Sequence, residues 1–197
     1  MTHGIRDVDF SLTTTELLTM LSEAEITAAD CLPRSADEPF AYGSGGGTIF
    51  GVSGGVAEAV VRCLSPEKGF SRPDWITTRS LRGYDGIKQT TVLHNGAPVK
   101  IAVVSGLGNA EYLMQKIRSG ENEFSFIEIM ACPGGCIMGG GQPADVYDHF
   151  SDQELRSEGL YTTDDNCEIK AATENLLLKD IRNTLLKGRA HELLHRK

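Results

Sequence analysis

Long apolar runs, a basic charge balance and a dense set of cysteines are all missing from this chain of 197 residues. No stretch approaches the roughly 18 apolar residues of a membrane span, so membrane insertion is not expected. Nineteen Lys and Arg face 27 Asp and Glu, a net charge of −8. That balance argues against a nucleic-acid partner, because phosphate binding needs a basic face. The five cysteines are odd in number and too sparse for a disulfide scaffold. The N-terminus, MTHGIRDVDF, has neither the basic start nor the apolar core of a secretory signal. A reducing, cytoplasmic compartment is the expectation. Glycine is the one residue in clear excess: 22 of them, concentrated at 43–55 and 134–141. Such runs mark backbone that approaches a ligand or another backbone closely.

Local patterns place the elements. Thr13 and Glu16 form a capping box ahead of Leu17, Leu18 and Leu21, which predicts a short amphipathic helix. Residues 26–42 read as loop, and Gly43–Gly51 as backbone that cannot be regular helix. Ser53 is the expected cap of a following helix with Val56, Val60, Cys63 and Leu64 on one face. Ile87–Leu93 and Val99–Val104 are strand-like and meet through Asn95-Gly96, a hairpin signal. A helix from Asn109 to Arg118 and a strand at 124–130 complete a βαβ unit, hence a locally parallel sheet. Gly106-x-Gly108-x-x-Glu111 has the position of a dinucleotide loop, but a carboxylate beside a pyrophosphate is unfavourable, so a tight βα turn is predicted. Residues 144–170 are polar and acidic and predict a connection across the surface, with a hydrated acidic face. From Ala171 a helix with Leu177, Ile181 and Leu185 on one face runs to Lys187-Gly188, and a last short helix covers 190–195.

The informative stretch is 128–143, EIMACPGGCIMGGGQP. Cys132 and Cys136 lie in a Gly/Pro turn at the carboxyl end of an apolar strand, where ligands of parallel sheets bind. Spacing alone leaves three readings open: an iron–sulfur ligand pair, a structural zinc site, or two unconnected thiols. Zinc wants a second matching pair, whereas Cys31, Cys63 and Cys167 are isolated in sequence. Met130 reads as a buried strand methionine and Phe50 as core.

This stretch closely resembles the third cysteine motif of the FeFe hydrogenases. Residues 49–59 (IFGVSGGVAEA), 6–17 (RDVDFSLTTTEL), 105–110 (SGLGNA) and the terminal helices resemble the same family. The resemblance implies an α/β fold: a parallel sheet with flanking helices, one lobe of the catalytic domain, with a helical C-terminal tail. It implies that residues 1–150 are part of the H-cluster domain and 151–197 a connection and small-subunit-like tail. It implies a 4Fe–4S cluster joined to a two-iron subcluster, with Cys132 a terminal ligand and Cys136 the thiolate bridging both centres. Phe50 and Gly51 would line the two-iron pocket, and the Met130 thioether would pack beside it. The activity implied is reversible reduction of protons to dihydrogen, with electrons from a ferredoxin or an NADH-linked subunit.

The family's other two cysteine motifs, Thr-Ser-Cys-Cys-Pro and Met-Pro-Cys-x-x-Lys, are not in this sequence. Two of the four cluster ligands are therefore expected from an N-terminal part, in the same reading frame or in a separate chain. A hydrogenase-like iron–sulfur assembly or sensory protein without hydrogen turnover is the alternative. A remote one is a zinc peptidase, because His191-Glu192-Leu193-Leu194-His195 satisfies H-E-x-x-H.

Overall fold

The computed structural model describes residues 6, 8–35, 42–64, 82, 86–121, 123–143 and 149–194. Parts of two expected loops, 36–41 and 144–148, lie outside the described residues, as do His195 and the side chain of His149.

Among the described residues, a three-stranded sheet in the order β1-β2-β3 organises the core. Strands β1 (Ile87–His94) and β2 (Ala97–Ser105) are antiparallel. Asn95 and Gly96 join them with φ of 50° and 79°, the left-handed pair that a two-residue hairpin requires. Strand β3 (Phe126–Met130) runs parallel to β2, reached through helix α4 (Leu107–Arg118). The α/β expectation and its βαβ unit are thus present, with the hairpin strand antiparallel at one edge.

Alternation along β2 divides the core between two faces. Ile101 and Val103 pack with Val92 and with Ala57 and Val61 of helix α3 (Gly55–Arg62). Ala102 and Val104 pack with Ala110 and Leu113 of α4 on the other face. A third cluster, Ile49, Val52 and Ile137, lies beside the sheet under Leu160 and Tyr161.

Several expectations need correction. Gly45–Thr48 does form one helical turn, α2, capped by Ser44 and continued by a 3-10 turn at Ile49–Gly51. Backbone N–H groups of Gly45 and Gly46 donate to the carbonyls of Ile169 and Lys170, so tertiary bonds hold a run with poor intrinsic helicity. Ser53 does not cap α3. Gly54, at φ 97°, is the cap residue, and Ser53 Oγ is buried with no hydrogen-bond partner among the described residues. The inner face of α3 is Ala57, Glu58 and Val61, while Val56, Val60, Cys63 and Leu64 are only half-buried. Small Ala57 lets the helix approach the sheet, and the ion pairs of Glu58 fix its rotation.

The largest correction concerns 144–170. Residues His149–Asn166 are an eighteen-residue helix, α5, and its Ser157 and Asp164 are buried. Asp164 Oδ1 and Oδ2 accept from Arg62 at 2.7 Å each, and Arg62 and Arg82 both also pair with buried Glu58. Cations from α3 and from residue 82 meet α5 beside the apolar contact of Leu160 and Tyr161. Near the C-terminus, α6 (Leu176–Asn183) ends before Leu185, which is 76% exposed; Leu186 turns inward instead. The short helix α7 (Ala190–Leu194) closes the described chain. Among the described residues no helix is long and apolar enough to cross a membrane.

Candidate cluster site

Strand β3 delivers the cysteine loop. Met130, half-buried, is its last residue, and its carbonyl accepts from the N–H of Gly106 at 2.8 Å. Gly106, at φ 87°, opens α4 as the tight βα turn expected there. Two residues past the strand, half-buried Cys132 begins a turn whose Gly134 and Gly135 take φ of 81° and 96°. L-side chains rarely adopt such angles, which accounts for the paired glycines. Cys136 then starts a 3-10 turn, Cys136–Met138, and is exposed.

This turn sits directly on the segment containing Phe50 and Gly51. A Cβ on Gly135 would lie 2.6 Å from the Gly51 carbonyl oxygen and 2.7 Å from Ser53 N. Ser53 N donates to the Gly134 carbonyl at 3.3 Å, and Gly134 N donates to Ser105 Oγ at 2.9 Å. Gly51 itself has Leu160 Cδ1 and Ile137 Cγ2 at 3.0 and 3.3 Å from its would-be Cβ. Phe50 is 49% exposed, its ring uncovered on the surface as Cys136 is. Three stretches far apart in sequence, 49–54, 105–106 and 130–139, therefore converge on one backbone knot.

Glu128, the acid that opens the motif, has a structural and specific role. It is 5% exposed, and its two carboxylate oxygens accept from Gly54 N and Ala57 N, both at 2.6 Å. A charge at the helix N-terminus satisfies orphan amides and the dipole together. A lone carboxylate inside the apolar strand FIEIM was the signal for it. Arg156 left no such signal. Its guanidinium donates to the carbonyls of Ile137, at 2.8 Å, and of Pro143, from outside the motif.

The donor set fits half of an iron–sulfur site. Two thiols flank a glycine turn, and at Gly139 a Cβ would come within 3.8 Å of Cys132 Sγ, so small residues leave room beside the sulfur. Among the described residues, no group of three or more His, Cys, Asp and Glu is placed to hold a metal ion. A complete zinc site is not built by them. At the other end of the chain, Arg189 pairs with Glu192 at 2.9 Å and its hydrogen bond lowers the Glu192 carboxyl below its usual range, a poor setting for a general base.

Comparison with known proteins places the chain in a family. Residues 1–140 match the family model for the iron-only hydrogenase large subunit, C-terminal domain. The chain belongs to that family. It is 43% identical over 140 residues to the periplasmic Fe hydrogenase large subunit of Nitratidesulfovibrio vulgaris, covering 71% of this chain and 33% of that one. It is 36% identical to iron hydrogenase 1 of Clostridium pasteurianum, over 98% of this chain and 35% of the relative. The cytosolic Fe-S cluster assembly factor narfl of Danio rerio is 28% identical, across 98% of this chain and 48% of its own length. An FeFe-hydrogenase structure from Chlamydomonas reinhardtii superposes with a TM-score of 0.67 at 30% identity, covering 94% of this chain and 54% of that chain. The chain thus spans about a third of the curated hydrogenases it matches.

Proposed function

We propose that this chain is the C-terminal part of an FeFe-hydrogenase catalytic domain whose completed form interconverts protons and dihydrogen. The observation that carries the reading is the seating of the Cys132–Cys136 turn on the Phe50–Ser53 segment, through Gly135 against the Gly51 carbonyl. When bound, the 4Fe–4S cluster with its two-iron subcluster would supply the electrons and the iron for proton reduction. Cys132 and Cys136 would hold that group through their thiolates, Cys136 on the side of the two-iron subcluster. Phe50, Gly51 and Met130 would line the two-iron side. Cys136 and the Phe50 ring are exposed and need a covering surface to exclude water. In this reading the cover is the N-terminal part bearing the other two cysteine motifs, in the same or a separate chain.

Residues 1–150 then form the partial domain and 151–197 the helical extension packed onto it. The electron source is a ferredoxin or an NADH-linked subunit, and the compartment is cytoplasmic. The identity of 28% to the assembly factor over nearly the whole chain keeps a second reading, cluster handling without hydrogen turnover. Identities of 43% and 36% to hydrogenases favour the first.

The test is co-production with a hydrogenase N-terminal half carrying Thr-Ser-Cys-Cys-Pro and Met-Pro-Cys-x-x-Lys. The completed protein should evolve hydrogen, Cys136→Ser should abolish it, and Cys31→Ser should leave it unchanged. A completed protein that binds iron and sulfide yet evolves no hydrogen supports the assembly reading instead.

A further inference from the structure

We infer that Arg156 of α5 is a positioning residue for the cysteine loop, an inference that rests on the hydrogenase reading for its effect on a cluster. Residues 136–143 are poor in anchors. Three consecutive glycines, 139–141, offer no side chains to pack, and glycine loses the most conformational freedom on ordering. The first half of the loop is fixed from the sheet side by Ser105 Oγ and Ser53 N. The second half is gripped from the α5 side. Arg156 Nη1 donates to the Ile137 carbonyl at 2.8 Å, and Nη2 donates to the Pro143 carbonyl, six residues further on. Asp152 Oδ2, one turn back on α5, holds Nη2 at 3.2 Å, and Met138 Sδ lies 3.9 Å from Nη1. Thr15 makes a further contact, donating to the Gly141 carbonyl at 3.1 Å.

A planar, permanently charged fork spans two carbonyls as a single ammonium cannot. The same group places a cation on the carbonyl of the residue next to Cys136. A fixed positive charge there stabilises the more reduced, more negative state of any cluster bound through that thiolate. Arg156 therefore sets both the shape of the loop and part of the potential of what it binds.

Two variants separate these effects. In the full chain, Arg156→Gln should speed amide hydrogen exchange at Met138, Gly139 and Gln142 by roughly tenfold or more, since two charge-assisted bonds are lost. Amides of the β1–β2 hairpin serve as the internal reference and should not change. Arg156→Lys, which retains the charge but not the fork, should show an intermediate acceleration in the same three amides. In the completed, cluster-loaded protein, Arg156→Gln should shift the reduction potential to more negative values and Arg156→Lys should restore it. Unchanged exchange at 138–142 in both variants, or acceleration shared equally with the hairpin, overturns the positioning role. A completed protein that loads no cluster even with Arg156 intact refutes the hydrogenase reading and leaves the exchange result standing.

Discussion

The cysteine loop and the helix behind it are built from opposite materials. The first half of the loop, residues 132–136, is shaped chiefly by backbone: two glycines at positive φ, close approach to Gly51 and Ser53, and bonds between amides and carbonyls. Helix α5 is held by side chains, chiefly the carboxylates and guanidiniums of Asp164, Arg62 and Arg156. Close-packed backbone tolerates almost no substitution, so its sequence is distinctive and its motif can be read. A polar seam of long side chains leaves no apolar periodicity, so its sequence passes for surface.

That contrast is sharpened first at Asp164. Burial alone would push its carboxyl up, but the Arg62 hydrogen bond and charge, then Arg82 and Lys170, hold it below its ordinary 3.8. Asp164→Ala leaves two arginines short of a partner inside the fold and should cost about 4 kcal/mol in urea unfolding, typical of breaking a buried pair. The sign of its pH dependence follows from the lowered value. Its contribution is fully present above the unfolded carboxyl range and is lost as pH falls below about 4. The unfolding free energy of the unchanged chain should therefore fall more steeply than that of the variant as pH drops below about 4.

On the backbone side, Gly135→Ala should destabilise by about 3 kcal/mol, combining positive φ with contact against rigid main chain. Its Cβ would stand 2.6 to 2.9 Å from Gly51 O, Ser53 N and the Val52 carbonyl carbon, none of which can move like a side-chain tip. The smallest effect separates shape from composition. Gly140 lies in the same glycine run with nothing among the described residues within 4 Å of a would-be Cβ, and its φ is not positive. Gly140→Ala should change stability by less than about 0.5 kcal/mol. Equal losses at 135 and 140 would show that general loop flexibility, and not the contact with Gly51, governs the site.

Legibility followed the same division. The Thr13–Glu16 capping box, the Asn95-Gly96 hairpin and the βαβ unit were readable because each rests on local chemistry at fixed spacing. Helix α5 was not, because its buried positions are Ser157 and Asp164 and its partners lie on α3 and at residue 82. Ser53 has the right residue type for a cap, yet the amide of Gly54 is taken by the carboxylate of Glu128, seventy-four positions beyond Gly54. Gly45–Thr48 is helical through bonds donated by Gly45 and Gly46 to the carbonyls of Ile169 and Lys170, which no local propensity contains. At the site, Cys132, Cys136, Phe50, Gly51 and Met130 came from resemblance to a family. Arg156 came only from the fold.

The central claim is that Cys132 and Cys136 hold one cluster once the N-terminal half is supplied. Electron paramagnetic resonance of the completed protein, in its unchanged and Cys132→Ser forms, tests it most directly. The account predicts a reduced 4Fe–4S signal in the unchanged form and its loss or marked change in the variant. The same signal in both forms, with hydrogen evolution undiminished, would contradict it.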